Sequence, residues 1–171
     1  MVAVVADPEQ PSFATQENFA RWHRLTPSAT WRCVNVPCGD SSRTAKVLVD
    51  MMESKRVRSG QLILLASGEV GRGVLEVVLR GALECAGVLA VDVPCAPLPF
   101  GELATHAAIR LVIHQGNEEE FGLVGQLQRA DVDERVMRLN QAGATGSQAT
   151  ASAAETFLLE LVAMVGHRFG I

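Results

Sequence analysis

LILLASGEVGRGVLEVVLRGALECAGVLAVDVPCAPLP, residues 62–99, is the stretch whose reading decides the fold. With Gln61 it opens on QLILLAS, the most hydrophobic strand of the chain. A glycine-rich turn, GEVGRG at 68–73, leads into a helix over VLEVVLRGALECA at 74–86. VLAVDV at 88–93 is a further apolar strand, and the proline-rich PCAPLPFGE follows it as a loop. These strands are apolar without alternation, so both of their faces are expected to be covered. Strand, helix and strand in that order make a parallel pair joined by a right-handed crossover.

The same alternation continues outward in both directions. VAVVA at 2–6 is a β-branched run closed by Asp7-Pro8, and it reads as a buried strand. QENFARWHRL at 16–25 carries Phe19, Trp22 and Leu25 at a spacing of three, an amphipathic helix ended by Thr26-Pro27-Ser28. TWRCVNV at 30–36 is a strand stopped by Pro37, Gly39 and Asp40. Ser41 or Ser42 caps a helix running to about Val57, with Ala45, Leu48, Val49 and Met52 on one face. Beyond residue 99 come a strand IRLVIHQ at 109–115, a helix near 118–130, a strand ERVMRLN at 134–140 and a last helix from Ser152 to Val165. QAGATGSQATA at 141–151 is small and polar and is expected to be the most mobile loop.

The pattern predicts one α/β domain over residues 1–171, a three-layer, doubly wound, mostly parallel six-stranded sheet. Ligands of such sheets bind outside the carboxyl ends of the strands. The loops beginning at Asp7, Pro37, Ser67, Val93, His114 and Asn140 are therefore the ones to read for chemistry.

Composition narrows the partners. Hydrophobic residues make up 48% and charged residues 20%, which is globular usage. The net charge is −4 and the 15 basic residues are scattered, so no basic stripe for nucleic acid is expected. No apolar run approaches the ~20 residues of a bilayer span, and MVAVVADPEQ lacks the basic start of a signal peptide. A cytoplasmic protein without membrane contact is expected. Its cysteines (Cys33, Cys38, Cys85 and Cys95) are read as reduced thiols, with Cys33 and Cys85 as small core residues.

The order of these units resembles the carboxyl-terminal body of the α/β-hydrolase fold, above all small carboxylesterases and acyl-protein thioesterases, without that family's leading antiparallel strands. Residues 62–99 resemble its elbow strand, elbow turn, helix and next strand, and IRLVIHQGNEE resembles its strand ending in His-Gly and the catalytic acid. The resemblance implies a spatial strand order of second, first, third, fourth, fifth, sixth. In that family a serine occupies a strained turn, G-x-S-x-G. Here the resemblance places Gly68 at the nucleophile position, or Val70 on a register shifted by two. The acid falls on Glu118 or Glu119, the histidine on Gly146 or Thr145, and Asp7-Pro8 replaces the oxyanion loop. It thus implies a degenerate triad: a pseudoenzyme that acts as a binding or protein-interaction module.

The alternative is an esterase or thioesterase using Ser67 or a cysteine. A serine without a base in reach is inert near neutral pH, whereas Ser67 also suits a strand end or a helix cap. Cys38, Cys95 and His114 all follow strands on the presumed functional edge, so a Cys–His pair is one reading and loop packing by Cys95 the other. GEVGRG has the wrong spacing for a dinucleotide fingerprint. It can still present backbone N–H groups to an anion with help from Arg72, which Glu69 opposes. Asp7, Glu69, Arg72, Cys95 and His114 are the candidate binding residues. Glu118-Glu119-Glu120 reads as a solvated helix start, and no metal or cofactor is expected. A protein partner or a second copy, and a small acyl or anionic ligand, are the expected partners.

Overall fold

In the computed structural model, residues 1–9, 15–114, 120–140 and 144–170 are described. Strands β1 (Val2–Ala6), β2 (Trp31–Asn35), β3 (Ile63–Ser67), β4 (Gly87–Val91), β5 (Ala108–His114) and β6 (Glu134–Leu139) form one sheet in the order β2-β1-β3-β4-β5-β6. Every pairing is parallel. Both the layering and the strand order follow the sequence expectation, with no antiparallel strand in the sheet.

Alternation along each strand divides the core in two. Ala3, Val5, Leu64, Ala66, Val88, Ala90, Ile109 and Leu111 face α2 (Ser41–Lys55), α3 (Gly68–Leu79) and α4 (Glu120–Arg129). Val2, Val4, Ile63, Leu65, Leu89, Val91 and Val112 face α1 (Gln16–Leu25) and α5 (Ala144–Phe169). Leu64, Leu89, Ile109 and Leu111 are fully buried, as central strands covered on both sides must be. α5 has the length and composition to cross a membrane over Gln148–Phe169. Its Ala153, Ala154, Phe157, Leu158 and Leu161 are instead buried in the core.

Several boundaries depart from the sequence reading. Asp40, not Ser41 or Ser42, caps α2, accepting from the Arg43 N–H at 2.9 Å. α3 begins at Gly68, so GEVGRG forms its first turns instead of preceding it. It also ends at Leu79, because Gly81 (φ +73°) closes it. The Gly81 N–H donates to Val78 and the Ala82 N–H to Val77, the paired bonds of a left-handed helix terminator. Leu83, Cys85 and Ala86 extended the apolar pattern because they are buried in the connection to β4. The polar stretch read as a mobile loop is helical from Ala144 onward, and residues 141–143 lie outside the described residues. Cys33 is exposed on edge strand β2 and is not a core residue, whereas Cys85 is buried.

Candidate functional site

The carboxyl edge of the sheet is shaped by side chains that return to the backbone. Asp7 follows β1; its carboxylate accepts from the Glu9 N–H at 2.9 Å and the Cys38 N–H at 3.1 Å. It thereby ties the ends of β1 and β2 together. At the end of β3 the chain turns into α3 within one residue, Gly68, at φ +56°. A Cβ there would meet nothing within 4 Å, so the point of the turn faces open space. Three residues on, Gly71 is held close: a Cβ would stand 2.7 Å from Val93 Cγ1 and 3.2 Å from the Ala66 carbonyl carbon.

Beyond the turn, Arg72 is buried. Its guanidinium donates to the carbonyls of Pro94 (3.1 Å), Ala96 (2.6 Å) and Pro97 (2.9 Å), and to Glu76 Oε1 (2.9 Å). Gln126 accepts from the Leu98 N–H at 2.6 Å, and Arg80 lies 4.4 Å over the Phe100 ring. The loop after β4 is thus strapped to α3 and α4.

A second polar chain crosses the same edge. Asp92, just past β4, adopts φ +51°, a left-handed conformation that non-glycine residues enter reluctantly. Its Oδ1 accepts from His114 Nδ1, at the end of β5, at 2.5 Å. His114 Nε2 lies 3.2 Å from Thr150 Oγ1 on α5. With the Nδ1 proton directed at Asp92, Nε2 of the neutral ring accepts from the hydroxyl. Carboxylate, imidazole and hydroxyl in series are the components of a general-base relay. The Thr150 end of it is buried, at 4% exposure.

No family model matches the sequence, and no curated protein matches it. Solved structures do. The crystal structure of esterase PE8 is 13% identical, superposes over 94% of this chain and 91% of its own, and gives a TM-score of 0.70. YahD, solved with malic acid, is 11% identical over 94% and 93%, at a TM-score of 0.65. XC6422 from Xanthomonas campestris, described as an α/β serine hydrolase without lid, is 12% identical over 95% and 81%, at 0.64.

The chain has the α/β-hydrolase fold. The turn of that fold which bears a reacting serine lies between a strand and a helix, and β3 and α3 meet in such a turn at Gly68. Ser67, one residue earlier, is the cap of α3 and makes no side-chain capping bond. Glu69 is exposed in the first turn of the helix. Val70, the alternative elbow residue, is buried. Arg72 is not an anion ligand, since its guanidinium is spent on Glu76 and three carbonyls. Cys95 is buried, its thiol 3.4 Å from the Val93 carbonyl oxygen, so it packs the loop and is no surface ligand. Glu118 and Glu119 lie outside the described residues, and Gly146 falls in the first turn of α5.

Of the predicted residues, Asp7, Gly68 and His114 share the open edge. The sequence reading missed Asp92 and Thr150. The run VLAVDVP held a signal for Asp92, an acid at a strand's carboxyl end in a sheet of this type. Thr150 gave none, because its segment read as a loop.

Proposed function

We propose that this chain is a hydrolase-fold binding protein that does not hydrolyse esters. In this reading it engages a protein partner, a second copy of itself or a small acyl or anionic ligand. The glycine at the elbow carries the proposal: Gly68 holds the left-handed conformation of the turn and presents no nucleophile. The hydroxyl beside His114, Thr150 Oγ1, is buried, so the base has a partner that is shielded from an acyl carbon. Asp7 adds to this, because both oxygens of its carboxylate occupy backbone N–H groups where an oxyanion needs donors. The decisive experiment combines turnover with labelling. Hydrolysis of p-nitrophenyl acyl esters and acyl thioesters stays at the buffer rate, and a fluorophosphonate leaves no adduct by intact mass. Turnover lost in Ser67→Ala overturns the reading in favour of an esterase. Light scattering and pull-down test the partner.

One observation favours a second reading, a hydroxyl-dependent hydrolase built on Asp92, His114 and Thr150. Its hydroxyl, imidazole and carboxylate are already in series. Burial of Thr150 opposes it, since an acyl carbon has no approach to that oxygen. A fluorophosphonate adduct that vanishes in Thr150→Val establishes this alternative.

A further inference from the structure

The amino-terminal edge of the sheet, opposite the elbow, holds a cleft of about 640 Å³, within the size range of small-molecule sites. Its floor is the start of β1 and β3, and its walls are the turn before β2 and the carboxyl ends of α2 and α5. Ile63, Val162 and Val165 supply an apolar lining. Arg32, Lys55 and Arg56 supply positive charge, and no aspartate or glutamate lines the cleft among the described residues. The chain as a whole carries 19 acidic residues against 15 basic ones, so a carboxylate-free group of three cations runs against its overall charge. None of the three forms a salt bridge among the described residues.

Arg56 adds an observation independent of charge counting. It ends α2 at φ +53°; its N–H donates to the Glu53 carbonyl and the Val57 N–H to the Met52 carbonyl. These are the bonds that Gly81 and Ala82 make at the end of α3. Glycine is the usual residue at that position because it enters the left-handed region freely. Arg56 holds that conformation at some cost in strain and places a cation at the cleft. The carboxyl ends of α2 and α5 each contribute about half a negative charge, which three full positive charges outweigh.

We infer that this cleft binds an amphiphilic anion, an apolar chain headed by a carboxylate or a phosphate. The apolar wall takes the chain and the Arg32–Lys55–Arg56 group takes the head. Binding here is independent of whether the opposite edge hydrolyses anything.

Isothermal titration of the full chain with octanoate, octyl phosphate, octanol and octylamine tests it. Octanoate and octyl phosphate bind at one site, with the tighter of the two identifying the head group, while octanol and octylamine bind at least about tenfold more weakly. Arg56→Gly removes a charge and relaxes the backbone, so it keeps the fold and weakens octanoate and octyl phosphate about tenfold. Arg32→Gln removes a charge from β2 and weakens both anions about tenfold as well. Octanol binding as tightly as octanoate, no binding by either anion, or binding indifferent to both substitutions overturns the inference.

Discussion

Gly68 turns the chain from β3 into α3 at φ +56°, with open space where a Cβ would stand. Gly68→Ser therefore loses about 1 kcal/mol through backbone conformation alone, a few degrees in Tm by thermal melting. Ester hydrolysis in that variant stays at the buffer rate, because both nitrogens of His114 are occupied by Asp92 and Thr150. Activity in Gly68→Ser that disappears with His114→Ala shows instead that the imidazole swings to the elbow. The turn at Gly68 was legible in the sequence because its strand–turn–helix context is local. The Asp92–His114–Thr150 chain was not, since its members come from three separate elements. Cys85 gives a prediction of a different kind. Burial pushes its thiol up from 9.0 to about 12. Between those values the unfolded chain releases the proton while the folded chain keeps it. Stability conferred by the protonated thiol is thus lost as pH rises above about 9, with a slope of up to about 1.4 kcal/mol per pH unit. Urea unfolding at about pH 8 and about pH 10.5 will show the advantage of the native chain over Cys85→Ala shrinking at the higher pH.

α3 and the loop after β4 form the element on which the elbow rests. Gly71 has Val93 Cγ1 and the Ala66 backbone where a Cβ would go, so helix and strand approach there as closely as glycine permits. Gly71→Ala has to displace backbone, not only a flexible side chain, and loses roughly 2–3 kcal/mol. Gly73→Ala, with nothing within 4 Å of its added Cβ, is neutral or stabilising because alanine favours a helix interior. Arg72→Met leaves the Pro94, Ala96 and Pro97 carbonyls without their donor and loses roughly 2–4 kcal/mol. Chemical denaturation ranks these variants, and Gly73→Ala falling below Gly71→Ala would contradict the packing described. The sequence placed glycines and an arginine here without distinguishing their tasks. A glycine at a left-handed turn and one at a helix–strand contact look alike until the partner strand is in place. α3 itself was misplaced because buried Leu83, Cys85 and Ala86 extended its apolar pattern beyond the stop at Gly81.

Across the whole molecule, layer order was the most legible property, because uninterrupted apolar strands admit only a sheet covered on both sides. The edges were less so. Edge strand β2 exposes Arg32, and edge strand β6 exposes Arg135 and Arg138. Charged edges discourage strand-to-strand pairing, so the proposed association with a partner or second copy has to use another surface. Arg110 was wholly illegible, a charge in the middle of an apolar run. Its side chain is 2% exposed on β5 and meets Glu160 of α5 at 2.7 Å and Asp133, just before β6, at 3.1 Å. It therefore locks α5 to the β5–β6 end of the sheet. Glu160 is 29% exposed and Asp133 58%, so solvent screens the second pair much more than the first. Glu160→Gln leaves a desolvated guanidinium short of its main counter-charge and loses roughly 2–3 kcal/mol, the buried-pair figure discounted for that exposure. Asp133→Asn loses less than about 1 kcal/mol. Arg110→Met removes the buried charge itself and leaves Glu160 half-solvated beside Arg135, which lies 3.2 Å from it. Replacing a buried ion by an apolar side chain of similar length removes its desolvation cost, so the loss is roughly 1 kcal/mol, from the Ile109 and Asp133 carbonyls to which Arg110 also donates. Urea titrations at constant m-value should therefore rank Arg110→Met as milder than Glu160→Gln. The reverse order would mean that the ion pair itself, and not the cost of stranding its guanidinium, holds α5 to the sheet.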